Sequence, residues 1–167
     1  MTVKRPGERR RIGLISDTHG LLRNEIFAAF DGVHEILHAG DVGDLSILLE
    51  LKVIAPTLAV YGNTDGWELR QRLPETLEVE RAGHRVALVH GHQWGSPDVE
   101  NIAASYVGFS VVVYGHTHQP LVRQTAGVLV VNPGSAGRCR LGKPASAALL
   151  TLERGRSPSA RLVDLTR

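Results

Sequence analysis

Seven residues in this chain could grip metal ions: Asp17, His19, Asp41, Asn63, His90, His116 and His118. All offer oxygen or imidazole nitrogen. They fall in polar clusters that contain glycine: Asp17-Thr18-His19-Gly20, Gly40-Asp41, Gly62-Asn63, His90-Gly91-His92 and Gly115-His116-Thr117-His118. Glycine lets the chain turn sharply and present a side chain at such points. One zinc-like ion takes three or four protein ligands. Seven donors therefore suit two ions, with a carboxylate shared because its two oxygens can bridge. A set without thiolate suits manganese, iron, zinc, nickel or cobalt better than copper(I) or calcium. Two such ions lower the pKa of a shared water and offset charge developing on a substrate.

Each cluster ends a short apolar run, at 12–15, 35–38, 57–61, 85–89 and 110–114. β-branched runs bounded by glycine are strand signals. Between them, apolar residues at helical spacing predict helices over 21–30, 44–51 and 98–107, the last capped by Ser96 or Asp98. Strand–helix alternation predicts an α/β fold with parallel pairs. After Gly115 the pattern changes to consecutive strands at 121–125, 128–132, 145–152 and 160–165, so the second half is expected to be mostly antiparallel. Ala126-Gly127 and Arg154-Gly155 fit hairpin loops. The stretch 132–144 reads as a long functional loop. Carboxyl ends of strands form the ligand crevice of open α/β sheets, which would bring the seven residues into one pocket.

In order, Asp17-x-His19, Gly40-Asp41, Gly62-Asn63-x-Asp65, His90-Gly91-His92 and Gly115-His116-x-His118 resemble the motifs of calcineurin-like metallophosphoesterases. Asn132-Pro133-Gly134-Ser135 resembles a mark of that superfamily's small phosphodiesterase branch. The same branch contains Vps29-type retromer subunits, which keep the fold with a degraded metal site. The resemblance runs over residues 12–135. It implies a β-sandwich of two mixed sheets flanked by helices, in four layers, as one domain over 1–167. It implies one ion on Asp17, His19, Asp41 and His118, and a second on Asp41, Asn63, His90 and His116, with Asp41 as the bridge and manganese the favoured metal. The implied activity is a dimetal phosphoesterase, first a phosphodiesterase, in which a metal-bridging hydroxide attacks phosphorus in line with the leaving group. A phosphomonoesterase acting on a nucleotide or small phosphate ester is the alternative. A non-enzymatic Vps29-like scaffold is the reading of another class, and seven intact ligands weigh against it. One departure stands out. Thr64 occupies the place where many phosphomonoesterases of the superfamily carry the histidine credited with protonating the leaving group. His92 is the nearest substitute acid, or else orients a neighbour.

Other residues carry two readings each. Asp44 caps a helix or supports a ligand, and so does Asp65. Asn132 and Ser135 contact the site or form a turn. Asn63 doubles as a substrate contact. Arg138 and Arg140 clamp a substrate phosphate or belong to a solvated cationic loop. Trp67 and Trp94 line the pocket or pack. His34, His38 and His84 read as surface or satisfied core residues. A net charge of +2 and 5% aromatics give no argument for a nucleic-acid coat or a base-stacking platform, so nucleic acid is not required. Cys139 is the lone cysteine and can form no intrachain disulfide. No signal-peptide pattern and no run of ~18 apolar residues occurs, so a cytosolic protein without a membrane span is expected, its basic residues 1–10 a frayed end. A homo-oligomer is left open. The expected partner is a small phosphate-ester substrate.

Overall fold

The computed structural model describes residues 7–139 and 142–166. The apolar runs form strands whose two faces are both covered. One sheet has the order β10-β9-β1-β2-β3, built from β1 (Arg9–Ile15), β2 (Glu35–His38), β3 (Thr57–Ala59), β9 (Ser146–Glu153) and β10 (Ser159–Asp164). The other has the order β4-β5-β6-β8-β7, built from β4 (Thr76–Arg81), β5 (His84–Val89), β6 (Val111–Val113), β7 (Leu121–Thr125) and β8 (Val128–Asn132). Ile12 and Leu14 point between the sheets and pack on Val86, Leu88, Val111 and Val113. Ile15 points outward into a layer with Ile26 and Phe30, from or beside α1 (Glu25–Ala29), and Ile47 and Leu51 of α2 (Leu45–Ile54). Ala87, Val112 and Val130 face the opposite outer layer, where Ile102 and Ala103 of α4 (Val99–Ser105) cover them. Strands buried on both faces read as continuous rather than alternating apolar runs. Helices, sheet, sheet and helix thus stack as the expected α/β sandwich of two mixed sheets. Gly13 keeps the first interface close, because a Cβ there would lie 2.9 Å from the Phe30 ring.

Several boundaries differ from expectation. The predicted helix over 21–30 contracts to α1, because residues 21–23 leave the helical path after a turn over 18–21. There Leu21 N–H donates to Thr18 C=O and the Arg23 guanidinium donates to Gly137 C=O. Asp44 and Asp98 are true N-caps, accepting from Ser46 N–H and Asn101 N–H. Arg9 and Arg10 lie inside β1, opposite Glu153 and Leu152, so these two do not belong to a frayed end, and residues 1–6 of the expected frayed end lie outside the described residues. The second half is less antiparallel than expected: β8 pairs parallel with β6, and β7 folds back outside it at the sheet edge. Strand β4 and α3 (Trp67–Arg72) were not anticipated. No helix among the described residues is long and apolar enough to cross a membrane.

Candidate metal centre

Parallel pairing of β1 with β2, of β2 with β3, and of β5 with β6, turns their carboxyl ends toward one rim. Asp17, Asp41, Asn63, His90 and His116 lie on the loops that leave those ends. Five of the candidates have left-handed backbone: Asp17 (φ 54°), His19 (46°), Asp41 (53°), His116 (68°) and His118 (57°). Such conformations cost non-glycine residues energy and persist only where surrounding bonds over-determine them. Here Asp17 N–H donates to Gly40 C=O, His19 N–H to Asp41 C=O and Gly20 N–H to Val42 C=O. Two glycines are dictated by close approach: a Cβ at Gly62 would fall on the Asp41 carboxylate, and one at Gly115 on the Ser16 hydroxyl.

Each buried carboxylate divides its work. Asp17 Oδ2 accepts from the Ser16 hydroxyl at 2.6 Å and from His116 N–H at 3.2 Å. Its Oδ1 accepts no hydrogen bond and lies 3.2 Å from His118 Nε2, 3.8 Å from His19 Nε2 and 4.0 Å from His90 Nε2. Asp41 Oδ1 accepts from Thr64 N–H at 2.9 Å, while Oδ2 stands 3.2 Å from His90 Nε2 and 3.9 Å from His19 Nε2. His90 Nδ1 is 2.7 Å from the Ala39 carbonyl, which can only accept, so Nδ1 carries the proton. In the neutral ring Nε2 then points a lone pair at Asp41 Oδ2 and at Asn63 Oδ1, 3.1 Å away. Acceptors facing acceptors across about 3 Å are what divalent cations satisfy, so these residues fit the metal that the donor set implies. Two triads emerge, Asp17–His19–His118 and Asp17–Asp41–His90, with Asp17 common to both. The His116 ring centre lies 5.2 Å from that of His90. His116 borders the same cleft of about 550 Å³, together with His19, Asp41, Asn63, Thr64, Thr117 and His118. Burial pulls the His90 pKa down, but its hydrogen bond to Asp41 and the charges of Asp17 and Asp41 outweigh this and raise it. Burial alone would raise Asp41; His90 and the Thr64 N–H prevail and hold it far below the usual carboxylate range.

A set of buried polar residues holds the ligand loops from behind. Asp65 is no cap, since Gly66 takes that position on α3. Its carboxylate accepts from the backbone N–H groups of Val42, Gly43 and Gly62 at 2.9–3.2 Å, tying the Asp41 loop to the Asn63 loop. Arg70 of α3 adds bonds to the carbonyls of Asn63 and Asp65. Sequence reasoning missed Arg70 together with its helix. Asn132 Nδ2 donates to Gly115 C=O and to Thr117 Oγ1, both at 3.0 Å, bracing the His116–His118 turn. The Ser135 hydroxyl donates to Asp17 C=O at 3.0 Å.

His38 is fully buried between two of these loops. The Thr18 hydroxyl spends its proton on Val42 C=O, so it accepts from His38 Nε2–H at 2.9 Å. His38 Nδ1 then accepts from Gly40 N–H at 3.2 Å. A second proton on the ring would oppose that N–H. Burial accordingly pushes its pKa from 6.5 down to about 4. The unfolded chain binds this proton at higher pH than the folded one. Stability is therefore present above pH 6.5 and is lost as pH falls toward about 4. In denaturant melts with chelator, wild type is expected to lose about 3 kcal/mol more than His38→Gln across that window. Parallel curves for the two proteins would contradict this account.

The remaining candidates lie farther out. His92 starts a 3-10 turn, His92–Trp94, with its ring 5.5 Å from that of His90 and 6.4 Å from that of His116. Burial, then the charge of His90, lowers its pKa. Arg138 is exposed and does not border the cleft, and Arg140 lies outside the described residues. Trp94 packs edge-on against Tyr106 beside α4, and Trp67 is 76% exposed outside the cleft. His34 Nδ1 accepts from Arg11 N–H and His84 Nε2 meets Glu153 C=O, so both have structural partners.

A model of the calcineurin-like phosphoesterase superfamily domain matches residues 11–155. A probable metallophosphoesterase of Methanothermobacter thermautotrophicus is 36% identical over 145 residues, covering 83% of this chain and 84% of that protein. A phosphodiesterase of Methanocaldococcus jannaschii is 30% identical over 158 residues, covering 84% of this chain and 93% of that protein. Among solved structures, vacuolar protein sorting 29 from Cryptosporidium parvum shares the fold, with a TM-score of 0.77 at 22% identity over 94% of this chain and 98% of that one.

Proposed function

Because this chain belongs to the calcineurin-like phosphoesterase superfamily and is a hydrolase of phosphate esters, we propose that it is a phosphodiesterase working with two divalent transition-metal ions. The observation that carries this reading is the division of labour in the two buried carboxylates: one oxygen bound to the backbone or a neighbouring hydroxyl, the other aimed at imidazole nitrogens. Asp17, His19 and His118 would hold one ion and His90, Asn63 and His116 the other, with Asp41 serving both. When bound, the ions supply Lewis-acid activation of water and offset charge growing on the phosphoryl oxygens. The chain's own groups do the rest. Ala39 fixes the His90 tautomer, Thr64 N–H fixes the rotamer of Asp41, and Asp65 holds the two loops at constant separation. Thr64 offers no strong acid at the cleft, which favours esters whose leaving group departs without one. His92, its pKa lowered, serves as a neutral imidazole at the edge of the site. Manganese is the metal we favour, the substrate a small phosphate ester, and the cytosol the proposed location.

The test is a chelator-stripped protein assayed on bis-p-nitrophenyl phosphate and p-nitrophenyl phosphate, with manganese, nickel, cobalt, zinc or magnesium added singly. The expected result is metal-dependent cleavage with the diester preferred. Loading at ~100-fold the dissociation constant should also stabilise the protein by about 2.7 kcal/mol, a rise of roughly 5–10 °C in Tm. Preference for the monoester would move the reading to a phosphomonoesterase. A folded protein that turns over neither ester with any metal would move it to a non-enzymatic scaffold.

A further inference from the structure

A second recess, of about 520 Å³, adjoins the metal cleft and shares His116 and Thr117 with it. Its floor is Tyr114, which follows β6 and is buried. Its walls come from the starts of two elements: Pro97 and Val99 at the head of α4, and Leu121 at the head of β7. An exposed ion pair between Glu100 and Arg123, 2.6 Å long, links α4 to β7. Ser96 and Gln119 stand exposed at the mouth. Among the described residues bordering it there is no Asp, Glu, Lys or Arg. At the boundary of the two recesses, Thr117 Oγ1 accepts from Asn132 Nδ2 and from Gln119 N–H. With its lone pairs engaged, that hydroxyl has its own proton to donate to a substrate oxygen.

A phosphodiester carries two ester arms around one charged phosphoryl group. With the phosphoryl over the ligands, one arm is directed past His116 and Thr117. A recess of this size accommodates a ring-bearing group. Its uncharged lining disfavours an arm with a further phosphate, because a buried charge without a partner is costly. A lining that mixes apolar faces from Pro97, Val99, Leu121 and the Tyr114 ring with hydroxyl and amide groups from Ser96, Thr117 and Gln119 suits a flat ring whose edges are polar. We infer that this recess holds one ester arm of the substrate and that the arm is a neutral nucleoside. The inference rests on the phosphodiesterase reading for its placement of the phosphoryl group, and on the recess alone for the nature of the arm.

The experiment has two arms. In the first, the manganese-loaded protein is assayed on the methyl and the thymidine-5′ esters of p-nitrophenyl phosphate. Wild type is expected to show a KM at least tenfold lower for the thymidine ester. Ser96→Trp and Leu121→Trp, which fill the recess, should abolish that difference while leaving kcat/KM for the methyl ester within twofold. Equal KM values in wild type, or variants that lower both substrates alike, would overturn the inference. In the second arm, thymidine itself is titrated into methyl-labelled wild-type protein and followed by NMR. The methyl signals of Val99 and Leu121 should shift with thymidine and not with inorganic phosphate. Esters cleaved with no shift at these methyls would overturn the recess and spare the phosphodiesterase. Shifts without cleavage of any ester would overturn the phosphodiesterase and keep the nucleoside site.

Discussion

Asp41→Asn is expected to lower kcat/KM on a diester by at least ~10²-fold, the scale of removing one preorganised electrostatic group, while the fold survives. The amide oxygen can keep the bond from Thr64 N–H, so the loop is retained. What changes is the atom 3.2 Å from His90 Nε2, where a carboxylate oxygen becomes an N–H donor. The stability consequence has a sign that depends on pH. The His90 pKa is raised in the folded, metal-free protein, so its ion pair with Asp41 contributes stability below the unfolded value and loses it as pH rises through the folded one. Wild type should therefore be the more stable protein in chelator at low pH. Once His90 is neutral the order reverses, because the variant replaces two facing acceptors with a hydrogen bond of ~1 kcal/mol, about 2–4 °C in Tm. Thermal melts of both proteins from acid to alkaline pH read this crossing directly. Wild-type turnover by the variant at saturating metal, or melts that never cross, would remove Asp41 from the role assigned here.

Asp65→Ala should be the most destabilising change at the site although Asp65 is no candidate ligand. It would strip three backbone N–H groups, those of Val42, Gly43 and Gly62, of their acceptor. At ~1 kcal/mol or more for each orphaned donor, the cost is about 3 kcal/mol, or roughly 6–12 °C in Tm. The loops bearing Asp41 and Asn63 lose their common anchor, so the manganese concentration for half-maximal activity should rise 10–100-fold. Asp65→Asn is informative in its own way. One oxygen can still serve Val42 and Gly62, while the amide N–H₂ faces the Gly43 N–H, so an intermediate loss is expected. Unchanged metal affinity in Asp65→Ala would reduce Asp65 to a purely structural residue.

The candidate ligands were legible because each lies in a glycine-containing cluster that ends a strand-like run, a pattern local in the chain. What was illegible depends on partners far away in sequence. Asp65 was open between cap and support because its three bonds exist only once β2 and β3 pair and bring residues 42, 43 and 62 together. His38 read as a surface or a satisfied core histidine, and it is the second. That it joins the Asp17 and Asp41 loops could not be read from its neighbours. Strand β4 alternates Glu78 and Glu80 with half-buried Leu77 and Val79, the pattern of an edge strand, and lacks the continuous apolar run ending at glycine that marks the strands beneath the site. Helix α3 escaped because it buries a single residue, Leu69. The helical reading of 21–24 failed because the local turn closed by Leu21 N–H on Thr18 C=O, and the tertiary bond from Arg23 to Gly137 C=O, outweighed helical spacing. The assignment of ligands to each ion came from family resemblance, and spacing alone could not have supplied it.

The left-handed backbone at Asp17, His19, Asp41, His116 and His118 bears on how such a protein can evolve. Glycine would adopt each of these conformations at lower energy, by ~1 kcal/mol or more. Selection for turnover thus maintains five residues against a standing pull toward replacement. Loss of His19, His116 or His118 would relieve that backbone without orphaning a buried donor, whereas loss of Asp17 or Asp41 would leave His116 N–H or Thr64 N–H without its acceptor. A descendant that drops these histidines inherits extra stability, and with it tolerance for the destabilising substitutions that a new binding surface demands. On this account the path from enzyme to non-catalytic scaffold runs downhill in folding energy, and the reverse path must climb.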